Sequence, residues 1–207
     1  SDAPALGYSV ATYADDLAAL LDALGVGQGV VCGHSMGGYI AFEFARRYRA
    51  RLRALILVDS RAEADSADGR QARDAAMVIA REHGPRAVAE QMLPKMLAAD
   101  AARTMPQVAE RVRGIMESAP VSGILGALGA MRDRPDSTPL LPALAGVPAL
   151  VIIGEQDTLT PPALSRAVVA GIPGAVLGVI PNAGHLPSVE QPLATTRVIT
   201  EVLESLR

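Results

Sequence analysis

Four short apolar runs that alternate with amphipathic stretches constrain the fold of this 207-residue chain more than any other feature. The runs occupy residues 29–33, 54–58, 149–153 and 175–180. Continuous apolar runs are typical of strands buried on both faces, as in a parallel sheet covered by crossover helices. The pattern therefore predicts an α/β fold with a mostly parallel sheet of about four recognisable strands.

Helical periodicity fills most of the segments between these runs. In residues 9–24 the apolar side chains recur every three or four positions, and the pattern stops at Gly25. This spacing predicts a helix with one buried face. Similar spacing predicts helices at 37–48, at 161–170 and, to close the chain, at 189–206.

Residues 61–143 differ in character, because they contain no strand-like run. Their segments rich in Ala, Met and Arg predict about four short helices, with interruptions at Gly84-Pro85, Pro94, Pro106, Pro120 and Pro135. Because this segment separates two α/β halves, we predict a core of residues 1–60 and 144–207 with a helical lid at 61–143. The alternative is a second helical layer. Six methionines are candidates either for a pliable acyl pocket or for plain helical core: Met77, Met92, Met96, Met105, Met116 and Met131.

Composition argues against several classes of function. The net charge is −3 and no basic stretch is present, so we expect no nucleic-acid partner. Cys32 is the single cysteine, and three histidines without cysteine pairs do not suggest a zinc site, so no metal and no cofactor are predicted. No apolar run reaches the roughly 18–20 residues of a membrane span, and residues 1–4 do not resemble a signal peptide. We therefore expect a cytoplasmic protein.

The sequence Gly33-His34-Ser35-Met36-Gly37 lies between the first predicted strand and the following helix. It fits the G-x-S-x-G pattern of a nucleophile elbow, a strained strand-to-helix turn in which side chains two residues before and after the serine would clash. Gly33 and Gly37 would remove those side chains. The turn would also direct the backbone N–H of Met36 towards a developing negative charge, as in an oxyanion hole. The alternative is a glycine-rich turn without catalysis.

A serine hydroxyl needs a base to take its proton, and His185 is the preferred candidate for that base. It follows the last predicted strand, at the carboxyl edge where open α/β sheets place their sites. His34 lies inside the elbow and His83 lies in the helical segment, so both are weaker candidates.

The base in turn needs a carboxylate that holds its tautomer. Asp157 follows the preceding strand, on a loop that ends in two prolines, and is the preferred residue. Asp59 is the competitor, because it also directly follows a strand. Glu155 and Glu190 are expected to be solvated loop charges.

Three stretches together resemble the α/β-hydrolase superfamily: Gly33–Gly38, the loop from Gly154 to Pro162, and Asn182–His185. The chain order Ser35, Asp157, His185 is also the order found in that superfamily. Residues 57–65 and 134–137 are more loosely similar to lid-bearing esterases grouped with the 3-oxoadipate enol-lactonases. The resemblance implies a serine carboxylesterase that hydrolyses small to medium acyl esters through an acyl-enzyme. An enol-lactone hydrolase would use the same residues, so both activities stay open.

The resemblance also implies a missing part. Members of the superfamily normally carry three or four strands before the helix predicted here at 9–24, with a His-Gly loop that supplies a second oxyanion N–H, and no such pair or strand precedes Ser9. We therefore expect an N-terminally truncated sheet with the Ser35 strand at an uncovered edge. A second copy of the chain is expected to cover that edge, which makes a homo-oligomer. Loss of one oxyanion donor costs about 2.7–4 kcal/mol, so a catalytically weak remnant that serves as an oligomerisation or binding module is a third possibility.

Overall fold

A computed structural model of the chain describes residues 7–206. All four predicted strands form, as β1 (Gly29–His34), β2 (Leu52–Val58), β3 (Ala149–Gly154) and β4 (Val176–Ile180). They are parallel and lie in the order β1-β2-β3-β4. The predicted α/β class and parallel sheet are therefore confirmed, and all four carboxyl ends lie at one edge of the sheet.

The helices follow the strands in the expected alternation. In chain order they are α1 (Val10–Ala23), α2 (Met36–Arg47), α3 (Ala67–Met96), α4 (Ala101–Thr104), α5 (Pro106–Glu117), α6 (Val121–Arg132), α7 (Pro162–Gly171), α8 (Pro187–Glu190) and α9 (Pro192–Ser205). Short 3-10 helices cover Arg49–Arg51 and Thr138–Leu144. The closing helix predicted for 189–206 forms as α9, but its predicted start is wrong, because the chain breaks at Gln191 and Pro192 begins the helix.

Alternate residues of the strands pack on opposite faces of the sheet. On β2, Leu55 and Leu57 join a core cluster with side chains of α1, α2 and α7. Ile56 and Val58 join a second cluster on the other face, which α9 covers. Both faces of the central strands are therefore buried, as their continuous apolar sequence predicts.

The strand that leads to Ser35 lies at an edge of the sheet. Within residues 7–206, β1 pairs only with β2. Its Val31 is buried, whereas Cys32 on the opposite face is exposed. The edge position expected for this strand is therefore present in the described part of the chain.

Between β2 and β3 the chain is helical, but with fewer breaks than predicted. Helix α3 has 30 residues and is interrupted only at Gly84, whose φ of 76° is not helical. Pro94 lies inside α3 and does not end it, whereas Pro106 begins α5 and Pro120 directly precedes α6. No single helix of the described residues is long and apolar enough to cross a membrane, and the pair α5 and α6 reaches that length only with a bend of 95°.

The two ends of this helical segment meet at a buried ion pair. Asp65, just before α3, lies 2.8 Å from Arg134, just after α6, and two further arginines also pair with this carboxylate. The Arg134 guanidinium stacks over the Tyr39 ring of α2, 4.1 Å from its centroid. Next to this pair, the backbone N–H of Ser137 donates to the carbonyl of Ala62 at 2.8 Å. The contacts fix the segment to the α/β core at both of its ends.

Candidate active site

Ser35 occupies the strained turn that the sequence predicts. It lies between the end of β1 at His34 and the start of α2 at Met36, with φ 50° and ψ −115°. A positive φ is unfavourable for a residue with a side chain and persists only where surrounding contacts hold it. Here the Ser35 N–H donates to the Val58 carbonyl at 2.9 Å, and the Ser60 hydroxyl donates to the Ser35 carbonyl at 2.9 Å.

The glycines of the turn have different steric roles from those predicted. A Cβ on Gly33 would collide with the backbone carbonyl of Gly37, so Gly33 is required as expected. A Cβ on Gly37 would have no described protein atom within 4 Å, so the steric reason given for that position is wrong. The second constrained position is Gly38, where a Cβ would collide with the Ser60 side chain. The G-x-S-x-G pattern therefore identifies only one of the two positions, Gly33 and Gly38, at which a Cβ would clash.

The structure brings His185 and Asp157 together. The His185 Nδ1 lies 2.8 Å from the Asp157 Oδ2, and both side chains are buried. The other Asp157 oxygen accepts from the N–H groups of Leu159 at 2.8 Å and Thr160 at 3.1 Å, and the Thr160 hydroxyl donates to Oδ2. Burial alone would raise the pKa of Asp157, but the hydrogen bond to His185 and those from Thr160 outweigh it and hold the pKa below its ordinary value. Asp157 is therefore an anion beside the imidazole.

Ser35 is connected to the His185 loop through its neighbour His34. The His34 and His185 rings lie 5.0 Å apart, and the His34 Nε2 lies 2.7 Å from the His185 carbonyl oxygen. Because a carbonyl only accepts, the His34 proton is on Nε2. Burial lowers the pKa of His34, although the carbonyl acts in the opposite direction. The Ser35 hydroxyl itself makes no hydrogen bond among residues 7–206, and His83 is exposed on α3 beside Glu82, outside this group.

Asp59 lies beside the same pair. It directly follows β2 with φ 45°, its side chain is fully buried, and its Oδ1 accepts from the Gly154 N–H at 2.8 Å. One polar side-chain atom each of Asp59, Asp157 and His185 lie within 4.8 Å of one another. Within this trio, Asp157 and His185 already hydrogen-bond to each other. Both candidate carboxylates therefore lie at the site: Asp157 hydrogen-bonds to His185, and Asp59 lies close to this pair.

Glu190 is a residue of this site that the sequence interpretation missed. It was expected to be a solvated charge, but it is only 4% exposed. Its Oε1 accepts from the N–H groups on either side of His185, that of Gly184 at 2.8 Å and that of Leu186 at 3.3 Å. Its Oε2 accepts from the N–H of Ala98 at 2.7 Å. One buried carboxylate thus joins the His185 loop to the segment that follows α3.

For Glu155, unlike Glu190, the expectation of a solvated loop charge agrees with the structure. Glu155 is exposed, as predicted, and accepts only a long hydrogen bond of 3.3 Å from the Asn182 N–H. In the sequence the two glutamates look alike, since each follows a strand or loop at the carboxyl edge of the sheet. No spacing in the sequence distinguishes them, because one donor to Glu190, the N–H of Ala98, comes from a segment 92 residues away, and packing of that segment helps to bury the carboxylate.

The turn after α3 packs directly against the His185 loop. A Cβ on Gly184 would collide with the backbone of Leu97 and Ala98. Three of the six methionines considered from the sequence pack in the adjoining apolar cluster together with two residues that follow His185: Met96, Met105, Met116, Leu186 and Val189. Met77 is buried elsewhere on α3. The helical segment therefore contacts the site, while a role of these methionines in an acyl pocket stays a prediction.

Comparison with known proteins agrees with this arrangement. The family model described as alpha/beta hydrolase fold matches residues 1–192. An esterase from Thermogutta terrifontis is 44% identical, with a TM-score of 0.92 over 96% of this chain and 73% of its own. The enol-lactonase from Burkholderia xenovorans is 28% identical, with a TM-score of 0.87 over 95% of this chain and 74% of its own.

A curated relative points in the same direction. The 3-oxoadipate enol-lactonase 2 of Acinetobacter baylyi is 27% identical over 204 residues, which are 99% of this chain and 74% of that protein. These relatives are hydrolases, and the likeness to each extends over nearly the whole described chain. The chain belongs to the α/β-hydrolase family.

Proposed function

We propose that the protein is a serine carboxylesterase that hydrolyses small to medium acyl esters. The observation that carries the proposal is the buried Asp157–His185 pair, joined at 2.8 Å, at the sheet edge where the strained Ser35 turn also lies. A serine in such a turn, followed by a helix, is the arrangement from which acyl-transfer enzymes attack a carbonyl. The 44% identity to an esterase supports esters as the substrate class.

In the proposed reaction the Ser35 Oγ attacks the ester carbonyl carbon while the His185 Nε2 takes the hydroxyl proton. Because Nδ1 of the same ring is hydrogen-bonded to Asp157, Nε2 is the nitrogen left for this transfer. The Met36 N–H at the start of α2 hydrogen-bonds to the oxyanion. His185 then returns the proton to the leaving alcohol, and a water molecule, activated in the same way, releases the acid from Ser35.

The second candidate is hydrolysis of an enol-lactone, which the likeness to two enol-lactonases favours. The chemistry is identical except that the leaving enol stays attached to the acyl group. The two activities are distinguished by comparing kcat/KM for a series of p-nitrophenyl esters, from acetyl to octanoyl, with kcat/KM for an enol-lactone that carries a carboxylate. A preference of tenfold or more for the lactone would replace the first proposal by the second.

Two further parts of the proposal concern the surroundings of the site. We propose that residues 61–143 form a lid, because the turn after α3 lies on the loop of His185. We also propose that a second copy of the chain covers the edge of β1 that has no neighbouring strand among residues 7–206. Light scattering at micromolar concentration tests this, since a monodisperse monomer would exclude it. The cytoplasmic location expected from the sequence stays a prediction.

A fluorophosphonate probe tests the catalytic proposal directly, since it reacts with an activated serine. We expect a covalent adduct on Ser35, located by peptide mass spectrometry, in the wild type and no adduct in Ser35→Ala. His185→Ala should lose the labelling while its circular dichroism spectrum stays that of the wild type. If the folded wild type is not labelled, the enzyme proposal fails and a binding or oligomerisation module becomes the better interpretation.

A further inference from the structure

The Asp59 side chain is a buried carboxyl group that the proposed reaction does not use. It is fully buried at the end of β2. Its Oδ1 accepts the Gly154 N–H at 2.8 Å, whereas its Oδ2 is buried without a hydrogen-bond partner among the described residues. A buried carboxylate oxygen without a donor is costly, so its protonation state has to be explained.

The charged and titratable groups that face Asp59 are Asp157, His185 and Glu190. The two aspartates have oxygen atoms within 4.8 Å of each other. The His185 Nδ1 bonds to Asp157 and not to Asp59. Glu190 adds a further acidic group nearby, so an ionised Asp59 would face negative neighbours without a cationic partner of its own.

A proton on Asp59 removes this conflict. Both oxygens of Asp157 already accept hydrogen bonds, from His185, Leu159 and Thr160, which keeps Asp157 in its anionic form. These four hydrogen bonds use the roughly four lone-pair sites of the carboxylate, so a further donor such as Asp59 shares one of the Asp157 oxygens in a three-centre hydrogen bond. The Asp59 Oδ2 lacks a donor, and as a protonated O–H it would itself be a donor, with the Asp157 carboxylate, which has an oxygen within 4.8 Å of Asp59, as its acceptor.

We propose that Asp59 is a neutral carboxylic acid that donates its proton in a hydrogen bond to Asp157, and so acts as a positioning residue for the Asp157–His185 pair. The inference rests on the proposed serine-hydrolase function. Its structural consequence is that Asp157 is held both by its own loop and by β2, through Asp59, whose other oxygen is fixed by the Gly154 N–H. The assignment also separates the two candidate acids, with Asp157 ionised and Asp59 not.

The electrostatics of the site agree with this geometry. Burial raises the pKa of Asp59 to about 9, the Gly154 N–H opposes the rise, and the charge of Asp157 adds to it. Asp59 therefore keeps its proton through neutral pH. Above about pH 9 it becomes a second anion beside Asp157, and the hydrogen bond between them is replaced by repulsion.

Two substitutions of Asp59 with different hydrogen-bonding capacity test the proposal. Asp59→Asn keeps a donor for Asp157 and an acceptor for Gly154, whereas Asp59→Leu has similar size and neither. We expect kcat/KM on a p-nitrophenyl ester at pH 7 to fall about tenfold or more in Asp59→Leu and to be restored to within about threefold of wild type in Asp59→Asn. The wild type should lose activity above about pH 9, and Asp59→Asn should lack that step.

The outcomes distinguish the possible errors. If Asp59→Asn is as inactive as Asp157→Asn, Asp59 is the ionised partner of the histidine and the proposal is overturned. It is equally overturned if Asp59→Leu folds and keeps wild-type kcat/KM and pH profile. If Asp59→Leu does not fold, the ¹³C resonance of the Asp59 carboxyl in the wild type decides, since a neutral acid keeps the chemical shift of a protonated carboxyl up to about pH 8 and titrates near pH 9, whereas an ionised Asp59 would complete its titration below about pH 5. That measurement needs no activity, so it tests Asp59 even if Ser35 fails to react with the fluorophosphonate probe.

Discussion

Replacing Glu190 by glutamine keeps the length and shape of the side chain and removes one of its two acceptor oxygens. In the wild type, Oε1 accepts from Gly184 and Leu186, and Oε2 accepts from Ala98 at 2.7 Å. The single amide oxygen should stay with the two donors of the His185 loop. The amide NH₂ then faces the N–H of Ala98, two donors in contact, and the turn after α3 loses its attachment.

The size of the effect follows from these contacts. A buried N–H left without an acceptor costs about 1–3 kcal/mol, and hydrogen bonds to a charged group are worth roughly 1.5–3 kcal/mol each. We therefore expect Glu190→Gln to lower the free energy of unfolding by about 2–4 kcal/mol, a large part of the 5–15 kcal/mol typical of a domain. Because the His185 loop keeps its acceptor while the segment over it is released, KM should rise more than kcat falls.

Urea denaturation followed by circular dichroism measures the first quantity, and ester hydrolysis measures the second. Glu155→Gln is the matched control, since Glu155 lies at the same edge of the sheet but is exposed and accepts one hydrogen bond of 3.3 Å. We expect the control to change stability by less than about 0.5 kcal/mol. If Glu190→Gln and Glu155→Gln have the same stability and the same KM, the carboxylate does not join the loop to the helical segment and the reasoning is refuted.

Three other outcomes are expected from the structure. Gly33→Ala should lose about 1–3 kcal/mol of stability or more, because its Cβ collides with the Gly37 carbonyl, whereas Gly37→Ala, with open space, should change stability by less than about 1 kcal/mol in the same urea titration. For Asp59, the folded group binds a proton from its ordinary pKa of 3.8 up to about 9, while the unfolded group does not. The wild-type free energy of unfolding should therefore fall with rising pH across that window. The free energy of unfolding of Asp59→Asn relative to wild type should rise by up to about 1.4 kcal/mol per pH unit. A difference between the two proteins that does not change with pH would contradict this. Asp65→Asn removes the charge that three arginines share and should cost about 3–5 kcal/mol in thermal unfolding, and a cost under about 1 kcal/mol would show that the pairs are weak.

Much of the fold could be predicted from local sequence. The four apolar runs were sufficient for the strands and their parallel class, because burial on both faces requires continuous apolar residues. The helical content of 61–143 was also predicted, but its breaks were not all correct. Pro94 lies in the last turn of α3 between Leu93 and Met96, which pack in one apolar cluster with residues of α5, and only Gly84 with its positive φ divides the helix.

The site was less accessible to sequence reasoning. The elbow and the order of the three predicted residues follow from strand ends, which chain position reveals. The Gly37 prediction was wrong because the crowding involves the carbonyl of that residue and not a side chain at it. Glu190 was misjudged because its donor Ala98 is remote in the chain, and only the packing of the helical segment brings the two together. The burial of Asp59 behind Asp157 likewise depends on the neighbouring positions of β2 and β3 in the sheet.

The meeting of the two ends of the helical segment has a consequence for how such a protein diversifies. The chain leaves the core near Ala62 and rejoins it near Ser137, and these two residues are joined by a hydrogen bond. The strands before and after the segment, β2 and β3, pair directly with each other. A segment inserted at a single point can change in length or sequence without altering the register of the strands that flank it. The helical segment and the part of the core that holds Asp157 and His185 can therefore change independently of each other, and the segment can be exchanged by recombination at this one junction.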